Sequence, residues 1–69
     1  MILRDLKEYC EDYCEKFPSF KDQIWEFYDL AQMEVEDGGS EDHECELAVS
    51  DINDLINGEL LNHHLIQVN

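Results

Sequence analysis

The segment Gly38-Gly39-Ser40 is the feature that most limits how this chain can fold. A glycine pair favours the left-handed backbone conformation that ends a helix, and serine is a strong N-cap for the helix that follows. Glu41, Asp42 and Glu44 then bring negative charge to the positive end of that next helix, which stabilises it. The sequence therefore predicts two helices that meet at this turn.

Two amphipathic segments precede the turn. The first repeats apolar residues at steps of three and four from Leu3 onwards, which predicts a helix from Leu3 to Lys16. Pro18 disfavours helical geometry at the residue before it, and Ser19 with Asp22 resembles a capping box that restarts the helix. The second helix should span residues 20 to 37. The buried stripes of these two helices are predicted to be Leu3, Leu6, Cys10, Tyr13 and Phe17, and then Phe20, Ile24, Phe27, Ala31 and Val35.

A third helix is predicted after the turn, ending at Asn57-Gly58 by the same glycine stop chemistry. Its buried face should consist of Cys45, Ala48, Val49, Ile52, Leu55 and Ile56. Residues 59–69 form either a short fourth helix, which we favour, or an extended segment docked on the bundle. No stretch alternates like a strand. We therefore expect a single all-α domain over residues 1–69, a three-helix bundle with a short fourth C-terminal helix.

Charge is distributed very unevenly along the chain. No lysine or arginine follows Lys21, whereas the remaining forty-eight residues contain thirteen Asp and Glu, so most of the net charge of -14 lies in one stretch. Such a surface repels phosphate and anionic lipid and attracts basic grooves. We therefore expect a basic protein partner, with no direct nucleic acid and no membrane. Neither a secretory signal nor an apolar run of about 20 residues is present, which predicts a cytoplasmic location.

Seven acidic residues bracket the glycine turn and form what we call the acidic corner, namely Glu34, Glu36, Asp37, Glu41, Asp42, Glu44 and Glu46. Like charges at helical spacing destabilise a helix by a few tenths of a kcal/mol per pair, so this clustering has a cost. The corner is either a solvated, solubilising face or a partner-binding surface. Trp25, which lies off the main apolar stripe, is either a cap on the core or an interface anchor. The predicted partner-binding residues are Glu34, Glu36, Asp37, Glu41, Asp42, Glu44, Glu46 and Trp25.

The sequence contains no complete catalytic or metal-binding pattern. A calcium loop centred on either glycine of the pair would place apolar residues or a cysteine at ligand positions. Cys10, Cys14 and Cys45 could join His43 in a zinc site, but their spacing matches no common zinc module, and reduced core cysteines are the simpler interpretation. No phosphate loop or paired nucleophile and base is present. We predict no catalytic residues, no metal, no cofactor and no enzymatic activity.

The acidic residues also carry a resemblance in composition. With the acidic stretch at residues 34–46 and the outer face Glu8, Glu11, Asp12 and Glu15, the chain resembles small phage-encoded proteins that block host enzymes, such as DNA mimics and anti-CRISPR proteins. The resemblance implies an inhibitor that occupies the basic surface of a nucleic-acid-handling protein in the host cytoplasm. The alternative is a helical module that forms a homodimer or docks on a protein through apolar residues near Trp25, Tyr28 and Leu30.

Overall fold

The computed structural model describes the backbone of residues 1–68 and the side chains of residues 1–58. Helix α1 spans Leu3–Lys16, a 3-10 turn spans Pro18–Phe20, α2 spans Lys21–Glu36 and α3 spans Glu41–Val68. The described residues contain no strand. The predicted all-α bundle of three helices is therefore confirmed. The bounds predicted for α1 agree with the structure, and those for α2 agree to within one residue.

The connection between α1 and α2 is tighter than the sequence indicated. The Phe20 N–H donates to the Phe17 carbonyl at 3.0 Å, which closes the 3-10 turn that runs directly into α2. The Lys21 N–H is satisfied in the same way by the Pro18 carbonyl. No side-chain cap is formed at the start of the turn or of α2, so the predicted capping box at Ser19 is wrong. The carbonyls of Phe17 and Pro18 accept the N–H hydrogen bonds at the start of α2 in place of a side-chain cap.

The turn between α2 and α3 follows the predicted stop chemistry. Gly38 has a φ of +107°, and its N–H donates to the Val35 carbonyl at 3.1 Å. The Gly39 N–H donates to the Glu34 carbonyl at 2.8 Å, which completes a Schellman motif. Ser40 then caps α3, because its Oγ accepts a hydrogen bond from the N–H three residues later at 3.5 Å.

Helix α3 continues through the position where a stop was predicted. It has 28 residues, against 14 in α1 and 16 in α2, and Gly58 does not adopt a positive φ. The predicted end at Asn57-Gly58 is therefore wrong, and residues 59–68 extend α3 instead of forming a separate fourth helix. Ile56 anchors the turn before Gly58 in the core, and the following Glu-Leu-Leu has good helix propensity. These local preferences outweigh the cost of one internal glycine.

The core is a single cluster between the three helices. The start of α1 meets the start of α3 and Tyr9 reaches Asn53, so these two helices run in the same direction, with α2 antiparallel to α3. Trp25 and Phe27 are among the partly buried residues packed around the cluster. Every buried residue belongs to a stripe predicted from the sequence. The buried residues are Leu6, Cys10, Ile24, Ala31, Cys45, Ala48, Ile52 and Ile56.

A polar contact fixes α1 against α3. The hydroxyls of Tyr9 and Tyr13 both donate to Oδ1 of Asn53, at 3.0 and 3.4 Å, and the two rings stack with centroids 4.4 Å apart. Burial raises the pKa of Tyr9, with a further contribution from its neighbour Tyr13. The shared amide oxygen holds the two helices in one register, because a shift along the axis would leave half-buried hydroxyls without a partner.

Candidate functional site

Glu41 is part of the acidic corner, and its carboxylate holds the first turn of α1. The Leu3 N–H donates to Glu41 Oε2 at 2.8 Å, across thirty-eight positions of sequence. Helix α1 has no side-chain cap of its own at Ile2, so this carboxylate satisfies a donor that would otherwise lack a partner within the helix. A negative group at this position also stabilises the positive end of α1. Glu41 therefore has a structural role in the bundle.

Asp42 has a second contact with the same end of α1. The ammonium group at Met1 donates a hydrogen bond to Asp42 Oδ1 and forms an ion pair with it. This bond lowers the pKa of Asp42 and raises the pKa of the amine, and the attraction of opposite charges acts in the same direction on both. Two of the seven carboxylates predicted to bind a partner are thus directed at the chain itself.

The other five carboxylates of the corner flank the glycine turn and form no hydrogen bond with the start of α1 among the described residues, although the charge of Glu46 contributes to the raised pKa of the Met1 amine. Glu34, Glu36, Asp37 and Glu46 are exposed, and Glu44 is half-buried. A Cβ built on Gly39 would lie 2.8 Å from the Glu34 carbonyl oxygen and 3.3 Å from Glu44 Cγ. The turn is therefore packed between the end of α2 and the start of α3, which brings Glu34 and Glu44 to the same edge of the bundle.

These two acids belong to a groove that we call the α2–α3 groove. It has a volume of about 110 Å³ and receives four residues from each helix. Ala31 and Ala48 are buried at its base, whereas Leu30 and Leu47 are 47% and 46% exposed. A second hollow of about 360 Å³ at the end of α2 shares Glu34 with it. The groove is lined by Phe27, Leu30, Ala31, Glu34, Glu44, Leu47, Ala48 and Asp51.

Leu47 and Asp51 are not among the candidate site residues that the sequence predicted. A signal for them exists, because residues three or four apart share a helix face and Glu44, Leu47 and Asp51 follow that spacing. Pairing this face with Leu30 and Glu34 of α2 required knowing that the two helices are antiparallel and in which register. The tertiary structure supplies that register.

Trp25 lies apart from this groove. Its ring is half-buried and packs against the core, and it contacts the edge of Tyr28 with centroids 5.5 Å apart. It does not line the α2–α3 groove. The geometry agrees with the interpretation of Trp25 as a cap on the core, and its role as an interface anchor stays a prediction.

Few ion pairs neutralise the acidic side chains within residues 1–58. Among residues 1–58 the ion pairs are Lys16 with Asp12 at 3.3 Å, within α1, and the Met1 ammonium with Asp42. Lys16 also lies over the Tyr13 ring, 5.7 Å from its centroid. Helix α2 has its only cation at its first residue, Lys21, and α3 has none. Asp42 is the one acid of α2 and α3 with an ion pair in the described part of the chain, so the surface of these two helices is otherwise negative without internal neutralisation.

The three cysteines are free thiols. Cys10 and Cys45 are fully buried in the core, as the sequence predicted, and Cys14 is half-buried. Burial raises the pKa of Cys10 to about 12, so this thiol stays protonated at neutral pH. Among the residues whose placement is described, no group of three or more His, Cys, Asp or Glu could hold a metal ion.

Comparison of the chain with protein-family models, curated proteins and solved structures gives no match. Function must therefore be argued from the geometry and charge of the site. Within the described residues, no helix combines the length and apolar character needed to cross a bilayer.

Proposed function

We propose that this chain is a small acidic binding protein that inhibits or regulates a nucleic-acid-handling protein by occupying its basic surface. The mechanism is charge mimicry of a nucleic acid. The carboxylates of α2 and α3 take the place of phosphates in a groove lined with lysine and arginine, and the nucleic acid is excluded by competition.

The observation that carries the proposal is the density of carboxylates along α2 and α3. Between residues 22 and 54 there are twelve acids, ten of them exposed and two half-buried, with no lysine or arginine among them. Helix α2 is about 24 Å long at 1.5 Å per residue. Duplex DNA of that length carries about 14 charges, at one charge per 1.7 Å of axis. Glu41 and Asp42 are engaged at the start of α1, so ten of the twelve carboxylates remain available, against about 14 charges on the duplex; the charge density is of the same order as that of DNA, though lower.

A second candidate is a helical module that homodimerises or docks through apolar contact. It is favoured by the large apolar side chains left exposed on α2 and α3 within residues 1–58, which are Leu30, Met33 and Leu47. The two functions differ in their response to salt. Charge mimicry weakens steeply as ionic strength rises, whereas apolar association is maintained or strengthened.

Immobilised full-length chain tests the proposal by capturing proteins from a cell lysate at low salt and releasing them along a salt gradient. The released protein is then assayed for duplex binding with and without free chain. We expect a basic protein that elutes with rising salt and whose DNA binding the chain inhibits. A captured protein that resists salt, or that binds DNA equally well with the chain present, would contradict the proposal.

Charge-reversed variants identify the contact surface. One variant changes Glu36, Asp37 and Glu46 to lysine, and a matched control changes the same number of exposed acids on α1, namely Glu8, Glu11 and Glu15. Both alter the net charge equally. We expect the first to lose capture and the control to retain most of it. Equal loss in the two variants would show that only net charge matters and would remove the acidic corner as the contact surface.

A further inference from the structure

The α2–α3 groove combines apolar walls with an acidic rim. Leu30 and Leu47 each leave nearly half of their surface exposed on either side of buried alanines. The volume of about 110 Å³ approaches the ~150 Å³ of an engineered cavity that holds benzene, so it has room for an aliphatic side chain. Isolated exposed leucines are common on proteins, but two that face each other across a groove form a continuous apolar surface.

The charges on the rim decide what can occupy the groove. Glu34, Glu44 and Asp51 line it, and the described parts of α2 and α3 provide no cation beyond Lys21, which is not among the lining residues. A second copy of the chain would bring three more carboxylates and a further net charge of -14 to this rim. Like charges brought together at an interface cost several kcal/mol, so self-association is disfavoured here. A nucleic acid is excluded for the same reason.

We propose that the α2–α3 groove binds a basic amphipathic helix of the target protein. Apolar side chains on one face of that helix insert between Leu30 and Leu47, and flanking lysines or arginines contact Glu34, Glu44 and Asp51. This is the helix-in-groove mode of recognition, with charge complementarity that fixes orientation. The inference rests on the proposed function, because it names the part of the basic target that the acidic surface contacts.

Two synthetic peptides test the chemistry of the occupant. Both contain the same leucines and lysines. In one the leucines recur at three- and four-residue steps to form an apolar face, and in the other the order is shuffled so that no face exists. Calorimetric titration into the full-length chain should give at least about ten-fold tighter binding for the amphipathic peptide. Equal affinities would show that charge alone drives binding and would overturn the proposal.

Matched variants test whether the peptide binds in the groove. Leu47→Gln removes one apolar wall, and Ile2→Gln removes a side chain of similar exposure, 42% against 46%, that lies outside the groove. We expect Leu47→Gln to weaken binding of the amphipathic peptide about five- to ten-fold and Ile2→Gln to leave it unchanged. Leu30→Gln serves as a second groove variant if Leu47→Gln shows altered circular dichroism. Equal effects of groove and control variants would overturn the proposal.

The rim is tested with paired neutralisations of equal charge. Glu34→Gln with Asp51→Asn changes the rim, and Glu8→Gln with Glu15→Gln makes the same net change on α1. The first pair should weaken peptide binding and flatten its salt dependence more than the second. Sedimentation of the chain alone tests the alternative occupant, which is a second copy of the chain. A dimer that Leu47→Gln dissociates would assign the groove to that second copy and overturn the proposal.

Failure of this inference can be distinguished from failure of the proposed function. If the captured target competes with DNA and responds to salt, but the groove variants bind it normally, the groove inference fails and charge mimicry stands. If the amphipathic peptide depends on Leu47 but no captured protein competes with DNA, the proposed function fails and the groove stands as a binding site for a basic helix.

Discussion

Replacement of Gly58 by alanine tests the most consequential difference between sequence and structure, the continuity of α3. The structure has Gly58 within α3 without a positive φ, and a Cβ built there meets no described side chain and no backbone outside its own helix within 4 Å. Glycine inside a helix is less stable than alanine by roughly 0.5–1 kcal/mol, because it loses more backbone entropy on folding. We therefore expect Gly58→Ala to stabilise the protein by about that amount.

A matched control is provided by Gly38→Ala. A Cβ at Gly38 also meets no described atom within 4 Å beyond its chain neighbours, so the two sites differ chiefly in backbone conformation, with φ at +107° for Gly38. A left-handed conformation costs a residue with a side chain roughly 1–2 kcal/mol. Gly38→Ala should therefore destabilise the protein by about 1 kcal/mol or more, although no atom obstructs the added methyl group.

Thermal and urea unfolding followed by far-ultraviolet circular dichroism measure both effects. In a domain of this size, 1 kcal/mol shifts the midpoint by about 4–8 °C, so Gly58→Ala should raise it by about 2–8 °C and Gly38→Ala should lower it. The opposite sign at Gly58, a lower midpoint with reduced helical signal, would mean that the chain adopts a left-handed stop there. Such a result would refute the continuation of α3 through residues 59–68.

Three further predictions follow from the core, the thiols and the surface charge. Ile52→Ala should cost about 2–5 kcal/mol in urea unfolding, whereas Leu47→Ala, at an exposed site, should cost about 0.5 kcal/mol or less. Because burial raises the pKa of Cys10 from 9.0 to about 12, the contribution of this thiol to the unfolding free energy should be fully present below pH 9 and be lost as the pH rises towards 12; a loss between pH 9 and 12 that is the same in the unaltered chain and in Cys10→Ala would contradict this. Added salt should raise the thermal midpoint by screening self-repulsion, and a midpoint that is flat or falls over moderate salt would count against a repulsive acidic surface.

Local chemistry accounts for most of what the sequence predicted correctly. The Schellman turn at Gly38 and the cap at Ser40 depend on residues within five positions, and helical periodicity alone identified the stripes that include Leu6, Ile24 and Ile52. The stop predicted at Gly58 failed because a glycine ends a helix only where the next residues do not favour its continuation. Residues that favour helix follow Gly58, whereas Gly38 is followed by a second glycine and a capping serine.

Contacts between distant residues could not be predicted in the same way. The α2–α3 groove depends on the register between two antiparallel helices, and the hydrogen bond from Leu3 to Glu41 joins residues thirty-eight positions apart. Periodicity shows which face of each helix is apolar but not which residues face each other across an interface. Leu30 was named from the sequence as part of an apolar docking surface, but its pairing with Leu47 in one groove follows only from the tertiary structure.

Two carboxylates of the acidic corner contact the chain itself, and this changes how the function of the corner must be tested. Glu41 and Asp42 hold the start of α1 and the Met1 ammonium, so lysines at these two positions would repel the groups that the carboxylates now bind. A variant that reverses them together with Glu36 and Asp37 would lose helix packing and partner contact at once. Reversal of the exposed Glu36, Asp37 and Glu46 leaves the two carboxylates that contact α1 in place, and lysines in the last turn of α2 are also favoured by its negative end. Glu46 acts on the Met1 ammonium only through its charge, so an unchanged circular dichroism spectrum serves to check that the bundle is intact. Loss of binding in that variant can therefore be assigned to the surface itself.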